Sequence, residues 1–190
     1  MARAFRVPYP IKLEKLTLVL QWRETDFYVH WTVLVIAALL LYNSIRRPLL
    51  CLLGLGAYLS VLVIHECGHL LVARRTRCQV HSVKIYPIFG VTCFQVPWSK
   101  LDHCFIAWGG VLAQAIVALP FVTWVVLFGY SRFEPVNAVL ALLGFFSIGV
   151  AIFNLLPIPP LDGAIAWQII PEVIKRHKLF GGRTNSARRF

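Results

Sequence analysis

The stretch VLVIHECGHLLVARR, residues 61–75, decides how the rest of the chain is read. It is a continuous apolar run, broken by His65, Glu66 and His69 and closed by Arg74 and Arg75. On insertion scales an ionisable side chain at the centre of a membrane helix costs about 2.5–3.5 kcal/mol. Keeping three so close together needs a compensating gain. On a helix, His65 and His69 lie about 40° apart in rotation and about 6 Å apart in rise, so both imidazoles can reach one point. That spacing suits zinc. Glu66 is turned about 100° from His65, at the flank of such a site, where it can act on water without ligating the metal. His65-Glu66-Cys67-Gly68-His69 is an H-E-x-x-H motif, in which Glu is read as a general base. Gly68 carries no side chain and lets another element approach.

The composition around this stretch is that of a membrane protein. The chain is 58% hydrophobic and 14% charged, with a mean hydropathy of +0.71; soluble domains average about half apolar and a quarter charged. Its 190 residues are expected to form a single domain, 1–190, with room for four or five spans of ~20 residues. The net charge of +11 sits in segments beside apolar runs. It reads as bilayer orientation and attraction to lipid head groups, and nucleic acid is not expected as a partner. The five cysteines are odd in number and include no C-x-x-C pair, so no disulfide framework is expected. A cleavable signal peptide is not expected either, because the first apolar run starts near Val29 and passes into YNSIRR.

The expected fold is α-helical and membrane-integral, with about four core spans at 29–45, 49–73, 101–130 and 136–156 and a small cytoplasmic-side β-hairpin or sheet. LTLVLQW (16–22), in the N-terminal segment 1–28, reads as a strand. The short runs flanking Phe89-Gly90 read as a hairpin over 83–96. Residues 164–174 suggest one more short helix, and 175–190 form a basic tail expected to be mobile. Sixteen Lys and Arg fall in the N-terminal, 74–100 and C-terminal segments, against three in the alternate connections. Both termini and the hairpin are therefore expected in the cytoplasm. His69 precedes Arg74 by about 7.5 Å of helix, which puts the site inside the bilayer near its cytoplasmic face.

A catalytic zinc takes three protein ligands and keeps one open position. Asp162 is the leading candidate for the third. It follows Pro157, Pro159 and Pro160, which must break the fourth helix, and broken backbone at membrane depth is tolerated where it lines a cavity. The competing reading makes PIPPLDG an ordinary turn, with His30, His81, His103 and Glu172 as other candidates. His30 otherwise reads as interfacial, Asp102 and His103 as facing head groups, and His81 and His177 as solvated.

HECGH, followed by NLLPIPPLDG at 154–163, resembles the site-2 protease family of intramembrane zinc metalloproteases, from VHW (29–31) to about Gly163. The resemblance implies that His65, His69 and Asp162 hold one zinc per chain, that Glu66 is the catalytic acid/base, and that Asn154 helps bind the substrate backbone. It implies cleavage of single-span membrane proteins, or clearance of signal-peptide remnants, in a lipid bilayer, with a bacterial inner membrane as the expected location. One stretch departs from the family pattern. Where the family often has Gly-Pro-x-x-Asn, this chain reads GGVLAQ, with Gly109, Gly110 and Gln114. Gln can still hydrogen-bond, so the role of that helix is left open. Two other functions compete with this one. A silent metal- and substrate-binding protein would not need Glu66. A metal transporter would need several polar intramembrane sites, and the sequence offers one cluster.

Overall fold

A computed structural model of the chain describes residues 16–22, 24–43, 47–87 and 90–186. The first part of the N-terminal segment (1–15), Arg46 of the first break, Phe89 of the hairpin turn and the last tail residues (187–190) lie outside the described residues.

The chain begins with an antiparallel pair, β1 (Leu16–Trp22) and β2 (Thr25–His30), as the β-branched run at 16–22 predicts. Helix α1 (Trp31–Asn43) follows directly. Next comes the long helix α2 (Pro48–Arg75), with proline in its first turn and Arg74 and Arg75 in its last. Both placements are favoured, since proline lacks only an amide that would be unpaired anyway, and cations complement the C-terminal dipole. β3 (Val80–Ile85) and β4 (Gly90–Phe94) form the expected hairpin. Beyond it the structure makes a larger sheet. β3 also pairs in parallel with β2, giving a four-stranded sheet in the order β1-β2-β3-β4. Sequence alone missed β2 and assigned its end to the first span. A parallel pair needs a long crossover, and here α1 and α2 provide it.

Helix α3 (Lys100–Phe128) is capped by Ser99, whose Oγ accepts from the Leu101 amide. Helix α4 (Glu134–Asn154) contains a π-helical stretch at Ala141–Phe146. A bent connection leads through Asp162 to the short α5 (Gly163–Ala166) and then α6 (Ile169–Ser186). The basic tail is helical through Ser186.

Among the described residues, α2, α3 and α4 are long and apolar enough to cross a membrane. Between 17% and 22% of the most apolar window of each is buried inside the protein. Three of the four expected spans are thus present as helices of sufficient length and apolarity among the described residues. α1 has 13 residues, about 20 Å of helix against a hydrocarbon core of about 30 Å, because His30 and the residues before it are drawn into β2. A buried cluster joins the end of α2 (Leu62, Leu70, Ala73) to Val80, Val83 and Ile85 of β3 and Ile106 of α3. It anchors the sheet beside the motif.

Candidate metal centre

The turn of α2 that carries the motif is buried, with His65 at 7%, Glu66 at 2% and His69 at 6% exposure. Two features place it there. The first is the crossing of α2 and α3, where Gly68 and Gly109 let the backbones approach. The second is the loop after α4, which returns to the same level. Asp162 Oδ2 lies 2.9 Å from His65 Nε2 and 3.2 Å from His69 Nε2, and the two Nε2 atoms are 3.0 Å apart. Among the described residues these three form the metal-capable group. His30, His81, His103 and Glu172 are not brought to it. His30 is buried; its Nδ1 lies 2.6 Å from Thr32 Oγ1 and its ring packs on Tyr86. His103 is half-buried, with its ring edge on Phe94, while His81 and His177 are exposed as expected.

The outer nitrogens set the chemistry. His65 Nδ1 faces Gln114 Oε1 at 3.0 Å, and His69 Nδ1 faces the Ile106 carbonyl at 2.7 Å. Both oxygens accept, so each Nδ1 is the protonated nitrogen and each Nε2 turns a lone pair inward. Two lone pairs and a carboxylate oxygen then converge on one point, which is repulsive unless a cation fills it. Ligands at about 2.0–2.1 Å from a tetrahedral zinc stand about 3.3 Å apart, close to the spacings seen. The residues therefore fit a divalent metal.

Each member of the group is braced. Gln114 is fully buried on α3, and its amide nitrogen also donates to the Val61 carbonyl at 3.4 Å. Gly110 gives the rings room, since a Cβ there would stand 2.6 Å from His69 Nε2. The loop bearing Asp162 is fastened at both ends. Trp167 Nε1 donates to the Leu155 carbonyl at 2.6 Å, Trp108 Nε1 donates to the Ala166 carbonyl at 3.1 Å, and the two indoles meet edge to face. Glu66 is held from the sheet side, where its Oε2 accepts from Thr92 Oγ1 at 2.6 Å. Asn154 is half-buried at the end of α4, where the loop begins.

Sequence reading brought out His65, Glu66, His69, Asp162 and Asn154 and left Gln114 open. It missed Thr92, Trp108, Trp167 and the Ile106 carbonyl. Gln114 carried a signal, a lone amide in an apolar helix. The others had none, because their roles depend on which segments meet.

Two HExxH histidines thus meet an Asp from a second segment, among helices long and apolar enough to cross a membrane. Three comparisons with known proteins bear on this arrangement. The model of Peptidase family M50 matches residues 129–187, which include the Asp162 loop but not HECGH. The "Putative zinc metalloprotease" of Synechocystis sp. (strain ATCC 27184 / PCC 6803 / Kazusa) is 29% identical over 150 residues, covering 73% of this chain. This chain spans 33% of that relative's length. The solved Site-2 Protease from Methanocaldococcus jannaschii has the same fold, with a TM-score of 0.63 at 21% identity over 82% of this chain and 71% of that one. The chain is thus similar to the peptidase-family model over its C-terminal part and to a site-2 protease in fold.

Proposed function

We propose that the protein is an intramembrane zinc metalloprotease, with one zinc per chain held by His65, His69 and Asp162. The observation that carries this is the convergence of three inward-facing ligand atoms within about 3 Å of one another beside a buried glutamate. Bound zinc supplies a polarised scissile carbonyl and a more acidic water. Gln114 and the Ile106 carbonyl hold the two imidazoles in the ligating tautomer. Glu66 takes the proton of the attacking water and returns it to the leaving amine. Asn154, at the end of α4, hydrogen-bonds the substrate backbone.

The substrate is a single-span membrane protein or a leftover signal peptide. A peptide bond within a helix is hidden and its amide is already bonded, so the segment must unwind before attack. β4 is the edge of the sheet and runs beside Glu66, so an extended substrate can add to it as a further strand. The charge distribution supports cytoplasmic termini, a cytoplasmic sheet and a fourth crossing around α1. The small minimal core suits a bacterial inner membrane.

The test uses the full chain purified in detergent. We expect about one zinc per chain, and Glu66→Gln retaining zinc while losing cleavage and accumulating uncut membrane proteins. Cleavage by Glu66→Gln at the wild-type rate would overturn the proposal. So would metal flux through vesicles without any proteolysis, which would favour a transporter.

A further inference from the structure

Glu66 is 2% exposed, so the protein rather than solvent must orient its carboxylate. Both contacts that do so come from β4. Thr92 Oγ1 donates to Oε2 at 2.6 Å, within the short range of charge-assisted O–H···O⁻ bonds. Oε1 lies beside Gly90, where a Cβ would stand 2.2 Å from it. Side chains alternate along a strand. Gly90 and Thr92 therefore share the face turned to α2, and Val91 lies on the other.

We propose that Thr92 is the positioning residue for Glu66. Its hydroxyl fixes Oε2 and leaves Oε1 as the oxygen that handles the proton. The proposal rests on the protease reading, in which Glu66 is the proton carrier. The terminal torsion of a glutamate is broad and nearly two-fold, so packing of the chain alone does not choose the plane of the carboxylate. Proton transfer needs a heavy-atom approach of about 2.6–3.2 Å. A donor on one oxygen restricts that rotation. Thr92 suits this task because it is itself held. It pairs with Val83 across the sheet, and Val83 is fully buried in the cluster beneath α2. The hydroxyl therefore sits on a rigid element tied to the same helix as Glu66, as precise placement requires. Gly90 complements it, because any side chain there would push the carboxylate away.

The experiment compares Thr92→Val, which keeps the shape and removes the hydroxyl, with Thr92→Ser, which keeps the hydroxyl. Full-length proteins are assayed on a single-span reporter, with zinc content measured in parallel. Thr92→Val should lower kcat by roughly tenfold or more, with KM and zinc content little changed, and Thr92→Ser should restore most of kcat. A second measurement needs no proteolysis. Thr92→Val should lower the melting temperature more in the Glu66 protein than in the Glu66→Gln protein, because only the former buries a charge that loses its donor. Unchanged kcat in Thr92→Val, a Ser variant as slow as Val, or equal melting shifts in both backgrounds would overturn the proposal. A wild-type chain that cleaves nothing, yet shows the coupled melting shifts, would overturn the protease reading and leave the Thr92–Glu66 link standing.

Discussion

Gly68 and Gly109 face each other where α2 crosses α3. A Cβ on Gly68 would stand 2.3 Å from the Gly109 carbonyl oxygen, and a Cβ on Gly109 would stand 2.7 Å from the Gly68 carbonyl oxygen. The contact is backbone on backbone, so neither side can yield by turning a rotamer. It sits within the HExxH turn and brings the Gln114 face of α3 up to His65. The packing that stabilises the helix pair is also what builds the site.

Gly68→Ala and Gly109→Ala should each destabilise the fold by about 1–3 kcal/mol, the usual cost of overpacking. Gly56→Ala, on the same helix α2 with nothing within 4 Å, should be neutral or stabilising by up to about 1 kcal/mol. Thermal unfolding in detergent compares the three.

Gly110→Ala should act on the metal rather than on the helix crossing. Its Cβ would meet His69 Nε2 at 2.6 Å and His65 Cε1 at 2.7 Å. The rings must rotate away and lose their common point. Zinc content of the purified protein should fall to near zero, with helical circular dichroism preserved.

Gln114→Leu removes the acceptor that holds His65 Nδ1. Loss of such an outer partner typically weakens metal binding by about 10–100-fold. Competition against a chelating dye measures it. Unchanged affinity would mean that Gln114 only fills space.

Trp108→Phe keeps a ring against Trp167 and removes the donor to the Ala166 carbonyl. Leaving that carbonyl unpaired costs about 1–3 kcal/mol. The Asp162 loop should loosen, and zinc affinity should fall by up to about tenfold, since 1.4 kcal/mol is a factor of ten.

Proline substitutions separate the roles of the two hairpin strands. Ile85 lies in β3, an inner strand, and is 7% exposed, so Ile85→Pro should break the sheet and lose cleavage and zinc together. Val91 lies on the edge strand and is 37% exposed, where proline is better tolerated. Val91→Pro should reduce cleavage more than zinc content. Equal loss of both would indicate misfolding.

Much of this was legible from residues alone. An apolar run cannot hold His65, Glu66 and His69 without a purpose, and one helical turn is enough to aim two imidazoles at a point. The strand at 16–22 and the hairpin near Gly90 followed from local alternation and turn chemistry. The first span reads longer than helix α1, because VHWTVLV is mostly apolar and nothing local says that Val29 pairs with Ile85, far along the chain. The tail reads as mobile because it is basic and contains glycine, and the hydrogen bond from Arg176 to Ser99, the residue that caps α3, is a tertiary fact.

The spacing of the motif, the apolar character of the helices and the proline break before Asp162 are local properties, written in the order of the residues. The meeting of Asp162 with the two histidines, the tautomer that Gln114 and Ile106 impose, and the grip of Thr92 on Glu66 belong to the tertiary structure. Each joins groups from segments tens of residues apart. Only the crossing of α2 and α3, the return of the α4 loop and the register of β4 bring those groups within bonding distance.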